Sequence, residues 1–341
     1  MAATIKEIAQ ALSLSPSTVS IVLAGNAEKR KVAPKTRDRV LKAAEEMGYH
    51  PSLEARRLRA VQDGDDLDDD VIAIFWEAPL RETMLVRFLQ GFQAYAAAHE
   101  LSYTPSIYFY KAGHLKEQAK LFDRNKFHAA ILYGCKPEDV AYLESTTFMG
   151  PKILVYPRYD PKNLTRCHLV TSNNAEFVGT YVNAFQQSGG TILTQCRSGY
   201  YQDDASFMAV LEANHMSYYD TDLAVGSIEG GYDWTMRYLK GREDNLPFDC
   251  IMAGSERMGF GVTRALEDLG IRVPSQVRVI AADVYNLNFQ EFSRPKLSSV
   301  DMAIEKTAEC SIQILQSVVG SASPEPKVVY VERKYTARES C

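Results

Sequence analysis

Two patterns of hydrophobic and polar positions divide the chain. Over residues 1–50, apolar residues recur every three or four positions, as in Ile5, Ile8, Ala9 and Leu12, which predicts short amphipathic helices. From residue 71 onward, continuous apolar runs alternate with helical stretches, a pattern typical of βα units. The sequence therefore predicts a small all-α head joined to a larger α/β body.

The head pattern predicts three helices with clear starting points. Thr4 and Glu7 form a capping box at the first helix, and Ser15 followed by Pro16 suits the start of the second. The third helix is predicted over 34–47. Two helices joined by a tight turn and closed by a third match the helix-turn-helix plan, in which the second helix enters the major groove of DNA. An unrelated three-helix bundle is the structural alternative.

The body pattern predicts strands over 71–76, 128–133, 152–157, 167–172, 191–196, 250–254 and 277–282, with helices over 84–99, 176–188, 258–269 and 302–319. These units are too many for one doubly wound sheet of ordinary size. The sequence therefore predicts two α/β lobes, with a ligand in the cleft at the carboxyl ends of the strands.

Charge is distributed unevenly along the chain. Residues 1–60 carry eleven Lys and Arg against six Asp and Glu, whereas residues 61–70 carry six Asp and no basic residue. Local positive charge attracts phosphate, so the basic head points to nucleic acid. The acidic run is predicted to be a linker, which is either merely solvated or opposes DNA phosphates and lowers non-specific affinity.

The cysteines and the first residues bear on the compartment. The six cysteines are scattered without zinc spacing, which predicts reduced thiols and no metal site. No apolar run is long enough to span a membrane, and the N-terminus lacks the pattern of a signal peptide. We therefore expect a cytoplasmic protein with no membrane partner.

An ordered series of motifs in the head resembles the LacI/GalR family of bacterial transcription regulators. The series comprises T4-I-K-E-I-A9, S15-P-S-T-V-S-I-V-L-A-G25, V32-A-P-K-T36-R, V40-L, G48-Y-H-P51 and A55-R-R-L58. The chain departs from the family pattern at Ser13, Ile21, Ala33 and Ser52; Ile21 replaces the usual Arg and removes a polar contact from the recognition helix.

The resemblance implies which residues meet DNA. In the head and hinge these are Thr4, Lys6, Pro16, Ser17, Thr18, Ser20, Ile21, Lys35, Thr36, Arg37, Ala55 and Leu58. It also implies a hinge helix over 51–60 between the head (1–50) and the acidic linker (61–70). Leu58 would enter the minor groove from each subunit of a dimer and kink the duplex, although a residue of this kind also packs on its own domain in other proteins.

The resemblance continues more weakly through the body, residues 71–341. It is carried by V170-T-S-N-N174, F248-D-C-I-M-A-G-S255, L269-G-I-R-V-P274 and R294-P-K-L-S-S-V300. It implies a two-lobe core like that of periplasmic sugar-binding proteins. The first lobe would hold 71–169 with 300–320, and the second 170–299 with 321–341.

The predicted effector site departs from the family in several positions. Two anchors of sugar hydroxyls are missing, because the family arginine falls on Asp203 and the family Asn-Asp pair on Gly254 and Ser255. The candidate effector residues are Trp76, Glu77, Arg158, Tyr200, Asp203, Trp234, Ser255 and Asp283. Aromatic faces stack on sugars, although each of these Trp and Tyr residues is also a candidate for ordinary packing.

These features together predict a homodimeric DNA-binding regulator, most simply a repressor of a palindromic operator, modulated by a small carbohydrate-like effector. An enzyme using NAD or ATP on sugars is one alternative, suggested by G259-F-G261, but the third glycine of a dinucleotide fingerprint is missing. No Walker A loop, G-x-S-x-G or HExxH motif is present, so nothing nominates a catalytic residue or a cofactor. A binding protein without DNA activity is the other alternative, and it has no need of residues 1–60.

Overall fold

The computed structural model describes residues 4–23, 27, 30–47, 49, 70–77, 82–123, 127–148, 150–157, 161–197, 204–286, 288–318 and 325–341. The predicted hinge helix and residues 61–69 of the predicted linker lie outside this set. The last linker residue, Asp70, belongs instead to the first strand of the body, where it is buried with its carboxylate 3.6 Å from Nε2 of His128.

The head consists of the three predicted helices, α1 (Ile5–Leu12), α2 (Pro16–Leu23) and α3 (Pro34–Glu46). Each helix places one completely buried aliphatic residue in a shared core, namely Ile8, Val19 and Val40. The 3.6-residue period aligns these positions on the inward faces. The predicted all-α head is therefore confirmed.

The body alternates strands and helices. Its strands are β1 (Asp70–Glu77), β2 (Tyr103–Tyr110), β3 (Ala129–Tyr133), β4 (Lys152–Val155), β5 (His168–Thr171), β6 (Ile192–Cys196), β7 (Ser217–Tyr218), β8 (Cys250–Ala253), β9 (Arg278–Asp283), β10 (Ser298–Asp301), β11 (Val328–Tyr330) and β12 (Tyr335–Thr336). Its helices are α4 (Glu82–Ala98), α5 (Ala119–Asp123, after a 3₁₀ turn at Leu115–Gln118), α6 (Pro137–Ser145), α7 (Asn174–Gln187), α8 (Asp204–Ala213), α9 (Ile228–Leu239), α10 (Glu256–Asp268), α11 (Phe289–Phe292) and α12 (Ile304–Val318).

The strands form two six-stranded sheets, one in each lobe. The orders are β11-β5-β4-β3-β1-β2 in the first lobe and β12-β10-β9-β8-β6-β7 in the second. The pairs from β1 to β5 and from β6 to β10 are parallel, and β12 runs antiparallel to β10. All seven predicted strands are present, so the predicted two-lobe α/β class is confirmed.

The strand β2 escaped prediction because it lies at a sheet edge. Its sequence YTPSIYFY contains Pro105, and its Ile107 and Phe109 are exposed. An edge strand tolerates proline because one of its sides makes no ladder hydrogen bonds. The sequence of β2 therefore lacks, over its full length, the continuous apolar run that predicts a buried strand.

The chain crosses between the lobes at points that sequence reasoning did not place. The first unit contains the described residues of 1–82, 89–171 and 307–329, and the second those of 83–88, 172–306 and 330–341. Residues 300–306 thus accompany the second lobe, since β10 pairs with β9. Residues 325–329 accompany the first, because β11 joins β5 and the Leu169 amide donates to the Lys327 carbonyl.

The glycines of the G259-F-G261 motif have a packing role. Both lie inside α10 rather than at a strand-to-helix turn. A Cβ atom at Gly261 would lie 1.9 Å from the Ile228 carbonyl oxygen of α9. The two helices approach too closely there for any side chain. Packing therefore explains Gly261, and a dinucleotide-binding site is not needed to explain it.

The six cysteines carry no disulfide, and burial raises the pKa of the Cys196 thiol. Within the ranges given above, no helix is long and apolar enough to cross a membrane.

Candidate functional site

The first helix of the head begins with the predicted capping box. The Thr4 hydroxyl accepts a hydrogen bond from the Glu7 amide at 3.3 Å, and the Thr4 amide donates to the Glu7 carboxylate at 2.6 Å. The backbone hydrogen bond from Thr4 lowers the pKa of Glu7. These contacts fix the N-terminal turn of α1, which also carries the exposed Lys6.

The second helix presents a polar N-terminus and an apolar residue on its outer side. The Ser15 hydroxyl caps α2 by accepting from the Thr18 amide at 3.0 Å, and it lies 2.8 Å from the Thr18 hydroxyl. Ser17 is exposed, while Val19 and Val22 are buried in the head core. Ile21 is half-buried and is absent from the apolar cluster of the head, so it lies on the other side of the helix.

The first turn of the third helix holds two predicted DNA-binding cations. Lys35 is exposed, and Arg37 forms an ion pair with Asp38 in which Nη2 lies 2.9 Å from Oδ1. An exposed pair of this kind is worth at most about 1 kcal/mol, so it leaves Arg37 able to exchange its partner. Arg39 instead donates to the Leu12 carbonyl at the end of α1, at 3.3 Å.

The predicted DNA-binding residues of the head are all at least partly accessible. Exposed positions are Thr4, Lys6, Pro16, Ser17 and Lys35, and half-buried positions are Thr18, Ser20, Ile21, Thr36 and Arg37. Ala55 and Leu58 lie outside the described residues.

A second candidate surface lies at the carboxyl end of β9 in the second lobe, where the backbone is held by two charged side chains. The carboxylate of Glu256 accepts hydrogen bonds from the amides of Val284 and Tyr285 at 2.9 and 2.6 Å. The guanidinium of Arg87 donates to the carbonyls of Asp283 and Val284 at 2.9 and 3.1 Å. Glu256 and Arg87 thus satisfy donors and acceptors of the same short loop.

Arg87 is itself held by acids. It is 4% exposed, and its Nε and Nη2 atoms each lie 2.6 Å from an oxygen of Glu305, with Asp301 at 3.2 Å from Nη2. Burial opposes the charge on Arg87, but the hydrogen bonds and attraction of Glu305, with Asp301, outweigh it and raise its pKa. The bidentate geometry is the strongest form of an arginine–carboxylate pair.

The loop presents the predicted effector residue Asp283. Its carboxylate accepts from the Asn286 amide at 3.1 Å and is half-buried. Burial raises the pKa of Asp283, with Arg87 acting against this and Asp301 adding to it. Burial likewise raises the pKa of Glu256 to about 7, although its backbone hydrogen bonds favour the charged form. Asp283 is therefore a half-buried acceptor at a strand end, in contact with the Asn286 amide.

In the first lobe, aromatic rings occupy the carboxyl ends of three neighbouring strands. Trp76 stacks on Tyr133 with ring centroids 4.2 Å apart, and Tyr133 meets Tyr156 edge-on at 5.9 Å. Trp76 and Tyr133 are buried, as is the predicted effector residue Glu77 at the end of β1. Tyr156 is half-buried and forms the accessible end of this row.

Two predicted effector residues occupy structural positions instead. Trp234 is 1% exposed and packs on Phe248 within the core of the second lobe. Ser255 is fully buried and caps α10 by accepting from the Met258 amide at 3.3 Å. Because neither side chain reaches a surface, and Trp76 is equally buried, we leave these three residues out of the effector site. Arg158, Tyr200 and Asp203 lie outside the described residues.

Sequence reasoning missed Arg87 and its acidic partners. The available signal was an arginine inside the apolar stretch M84-L-V-R-F-L89, which predicts either an exposed residue or a buried charge with a partner. The partner lies more than two hundred residues away, so only the fold identifies it. Among the residues that the structure describes, no group of three or more His, Cys, Asp and Glu is arranged to hold a metal ion.

Comparisons with known proteins agree with this architecture. The family model for bacterial regulatory proteins of the lacI family matches residues 4–52, and that for a periplasmic binding protein-like domain matches 198–341. The HTH-type transcriptional regulator GalR of Lacticaseibacillus casei is 27% identical over 356 residues, covering 99% of both chains.

Two solved structures share the fold over the whole chain. The Lac repressor dimer bound to operator and the anti-inducer ONPF has a TM-score of 0.67 at 15% identity, covering 100% of this chain and 99% of that one. The complex of the transcriptional regulator CelR with cellobiose has a TM-score of 0.63 at 18% identity, covering 99% and 100%.

A helix-turn-helix head attached to a two-lobe, periplasmic-binding-protein-like body defines a class of DNA-binding transcription regulators. Both domains and the full-length relatives point to the same group within that class. The head matches the lacI family of bacterial regulatory proteins, and the chain as a whole is similar to regulators of the HTH type.

Proposed function

We propose that this regulator binds a palindromic operator as a homodimer and acts as a repressor. The observation that carries the proposal is the accessible outer side of α2, with Ser17 and Ile21, beside helices whose first turns hold Lys6, Lys35 and Arg37. A helix of this kind reads base edges in the major groove while cations and helix N-termini contact phosphates.

The proposed dimer rests on the two-fold logic of such operators. Two heads related by a dyad match two half-sites of a palindrome. The Lac repressor neighbour is itself a dimer bound to operator. The wedge role of Leu58 and the contact of Ala55 with DNA stay predictions for the hinge.

The DNA proposal is tested by separating contacts with phosphates from contacts with bases. The full chain is titrated with labelled duplexes selected from a random palindromic library, at several salt concentrations. Lys35→Ala should weaken all duplexes alike and reduce the salt slope by about one unit, because one phosphate contact is lost. Ser17→Ala should change the ranking of sequences. A Lys35→Ala variant that altered sequence preference at unchanged overall affinity would contradict this division of roles.

We further propose that the carboxyl ends of the strands in the second lobe bind a neutral or weakly basic polyhydroxyl effector, of the carbohydrate class. Asp283 supplies an acceptor for hydroxyl groups at the end of β9. The carboxylates of Asp283, Asp301 and Glu305 outnumber the buried Arg87, whose donors are already taken. Such a surface repels a phosphate group through the Coulomb interaction. Arg158, Asp203 and Tyr200 stay candidate contacts.

Calorimetric titration with paired sugars and sugar phosphates tests the effector proposal. We expect the free sugar of a pair to bind more tightly than its phosphate. Asp283→Asn should weaken binding about tenfold or more, because a hydrogen bond to a charged acceptor is lost. Asp244→Asn, which makes the same charge change at an exposed position of the second lobe, is the matched control. Tighter binding of the phosphate would overturn the proposal.

The effector acts on DNA binding only through its different affinity for two arrangements of the protein, typically worth 1–3 kcal/mol. Operator affinity measured with and without the bound sugar therefore decides between induction and co-repression. We expect no turnover of sugars with NAD or ATP. Measured turnover would favour the enzyme alternative.

A further inference from the structure

The outer side of α2 has an unusual composition for a helix that reads DNA. Its sequence PSTVSIVL contains no Arg, Lys, Asn or Gln. Guanine is commonly read by bidentate Arg or Lys, and adenine by bidentate Asn or Gln. Neither kind of contact is available from this helix, so its side chains read bases by other chemistry.

Ile21 is the large apolar side chain of α2 that the head core leaves unused. Val19, Val22 and Leu23 are buried in that core, whereas Ile21 is half-buried and does not belong to the apolar cluster. It follows the exposed Ser17 by four residues and therefore shares its side of the helix. An apolar group is thus placed where the groove-facing side chains of such a helix lie.

One hydroxyl of this helix is engaged in the cap at its own N-terminus. The Thr18 hydroxyl lies 2.8 Å from that of Ser15, in the cap of the helix. Serine and threonine hydroxyls also bond to any base pair, so they discriminate weakly. The group in the major groove that an aliphatic side chain recognises is the C5-methyl group of thymine.

We propose that Ile21 is a specificity-determining residue that contacts the methyl group of a thymine in each operator half-site. This inference rests on the proposed function, because it needs α2 in the major groove. The Ile21 contact is apolar and stands in place of a hydrogen-bonded base contact. The operator should therefore prefer thymine at the contacted base pair because of its methyl group.

Replacing thymine by deoxyuridine tests the proposal, since it removes the methyl group and leaves every hydrogen-bonding group in place. The full chain first selects its duplex from a random palindromic library. Each thymine of that duplex is then replaced in turn, symmetrically in both half-sites, and the Kd is measured at one salt concentration. Burial of one methyl group corresponds to about fourfold in affinity, so we expect about fifteenfold weakening at one symmetric position.

The matched variant is Ile21→Ala, which removes the aliphatic group and favours the helix. It should bind the thymine duplex about as weakly as the wild type binds the deoxyuridine duplex, and it should be insensitive to deoxyuridine at that position. Ile21→Val should keep most of the sensitivity. Circular dichroism confirms that the head stays folded.

Two different results would contradict the proposal, and they can be told apart. If the wild type selects a duplex but no thymine shows a methyl effect that Ile21→Ala abolishes, Ile21 does not read a methyl group and the inference is wrong. If the full chain selects no duplex and shows no salt-dependent binding, the proposed function itself fails and the inference fails with it.

Discussion

Two arginine–carboxylate pairs show how differently the head and the second lobe use the same chemistry. In the head, Arg37 and Asp38 lie 2.9 Å apart with side chains 41% and 65% exposed. In the second lobe, Arg87 lies 2.6 Å from Glu305 and its side chain is 5% exposed. Water screens the first pair and is excluded from the second, so similar distances correspond to different energies.

The difference lies in how easily each arginine can change its partner. Because Arg37 and Asp38 are both exposed, another anion can replace Asp38 at small cost. All three nitrogen atoms of the Arg87 guanidinium donate to partners that belong to the loop after β9 or to the acids beside it. The head therefore keeps its charges exchangeable, whereas the second lobe uses a charge to fix backbone.

The largest effect should come from breaking the buried pair. Arg87→Met keeps an apolar stem but leaves Glu305 and two carbonyls without their donor, and we expect a loss of about 3 kcal/mol in the free energy of unfolding. Urea unfolding measures it. Arg37→Met, the control in the head, should cost less than about 0.5 kcal/mol. Equal costs at the two positions would contradict the comparison.

The buried Glu256 should make stability depend on pH in an unusual direction. Its pKa is raised from an ordinary 4.5 to about 7, so the folded state holds the proton more tightly than the unfolded state. The resulting stability is present below pH 4.5 and is lost as the pH rises through about 7, with an amplitude of about 3 kcal/mol.

Unfolding curves at a series of pH values give the free energy of unfolding of the wild type and of Glu256→Gln. The difference between the two isolates this contribution. The head supplies a control of opposite sign, because the hydrogen bond from Thr4 lowers the pKa of Glu7. The Glu7 contribution is present above pH 4.5 and is lost as the pH falls below it. A flat difference for Glu256→Gln between pH 4.5 and 7 would show that the buried carboxyl does not titrate there.

The contrast between filled and open surroundings extends to uncharged residues. Gly261→Ala would place a methyl group against the Ile228 carbonyl, so we expect a loss of about 1–3 kcal/mol. Gly179→Ala, in α7, meets nothing within 4 Å and should stabilise by about 0.5–1 kcal/mol. Thermal unfolding of both variants tests the pair; the same sign for both would refute the packing explanation.

The smallest effect on stability should come from Asp38. Asp38→Asn removes a negative charge beside Arg37 and should change the free energy of unfolding by less than about 0.5 kcal/mol. It should nevertheless tighten binding to every duplex about equally, because Arg37 is released toward phosphate. A change confined to one operator sequence would instead place Asp38 at a base edge.

The sequence was most informative where structure depends on neighbours along the chain. The Thr4 and Ser15 caps, the inward stripe of the head helices and the seven buried strands were all predictable, because caps and periodicity act within one or two turns. Trp234 and Ser255 were assigned to the effector site from resemblance and strand position, yet the fold buries both. An aromatic ring or hydroxyl near a strand end looks the same in sequence whether it faces a ligand or the core.

By itself, the sequence determined the head, the two-lobe class and the resemblance to the LacI family, because those follow from local spacing and ordered motifs. Only the tertiary structure decided that Arg87 meets Glu305 across 218 positions, that Glu256 holds the loop presenting Asp283, and that Gly261 lies against Ile228. The physical reason is that burial and partnership of a charge depend on residues brought together by folding, and these set its energy more strongly than its own identity does.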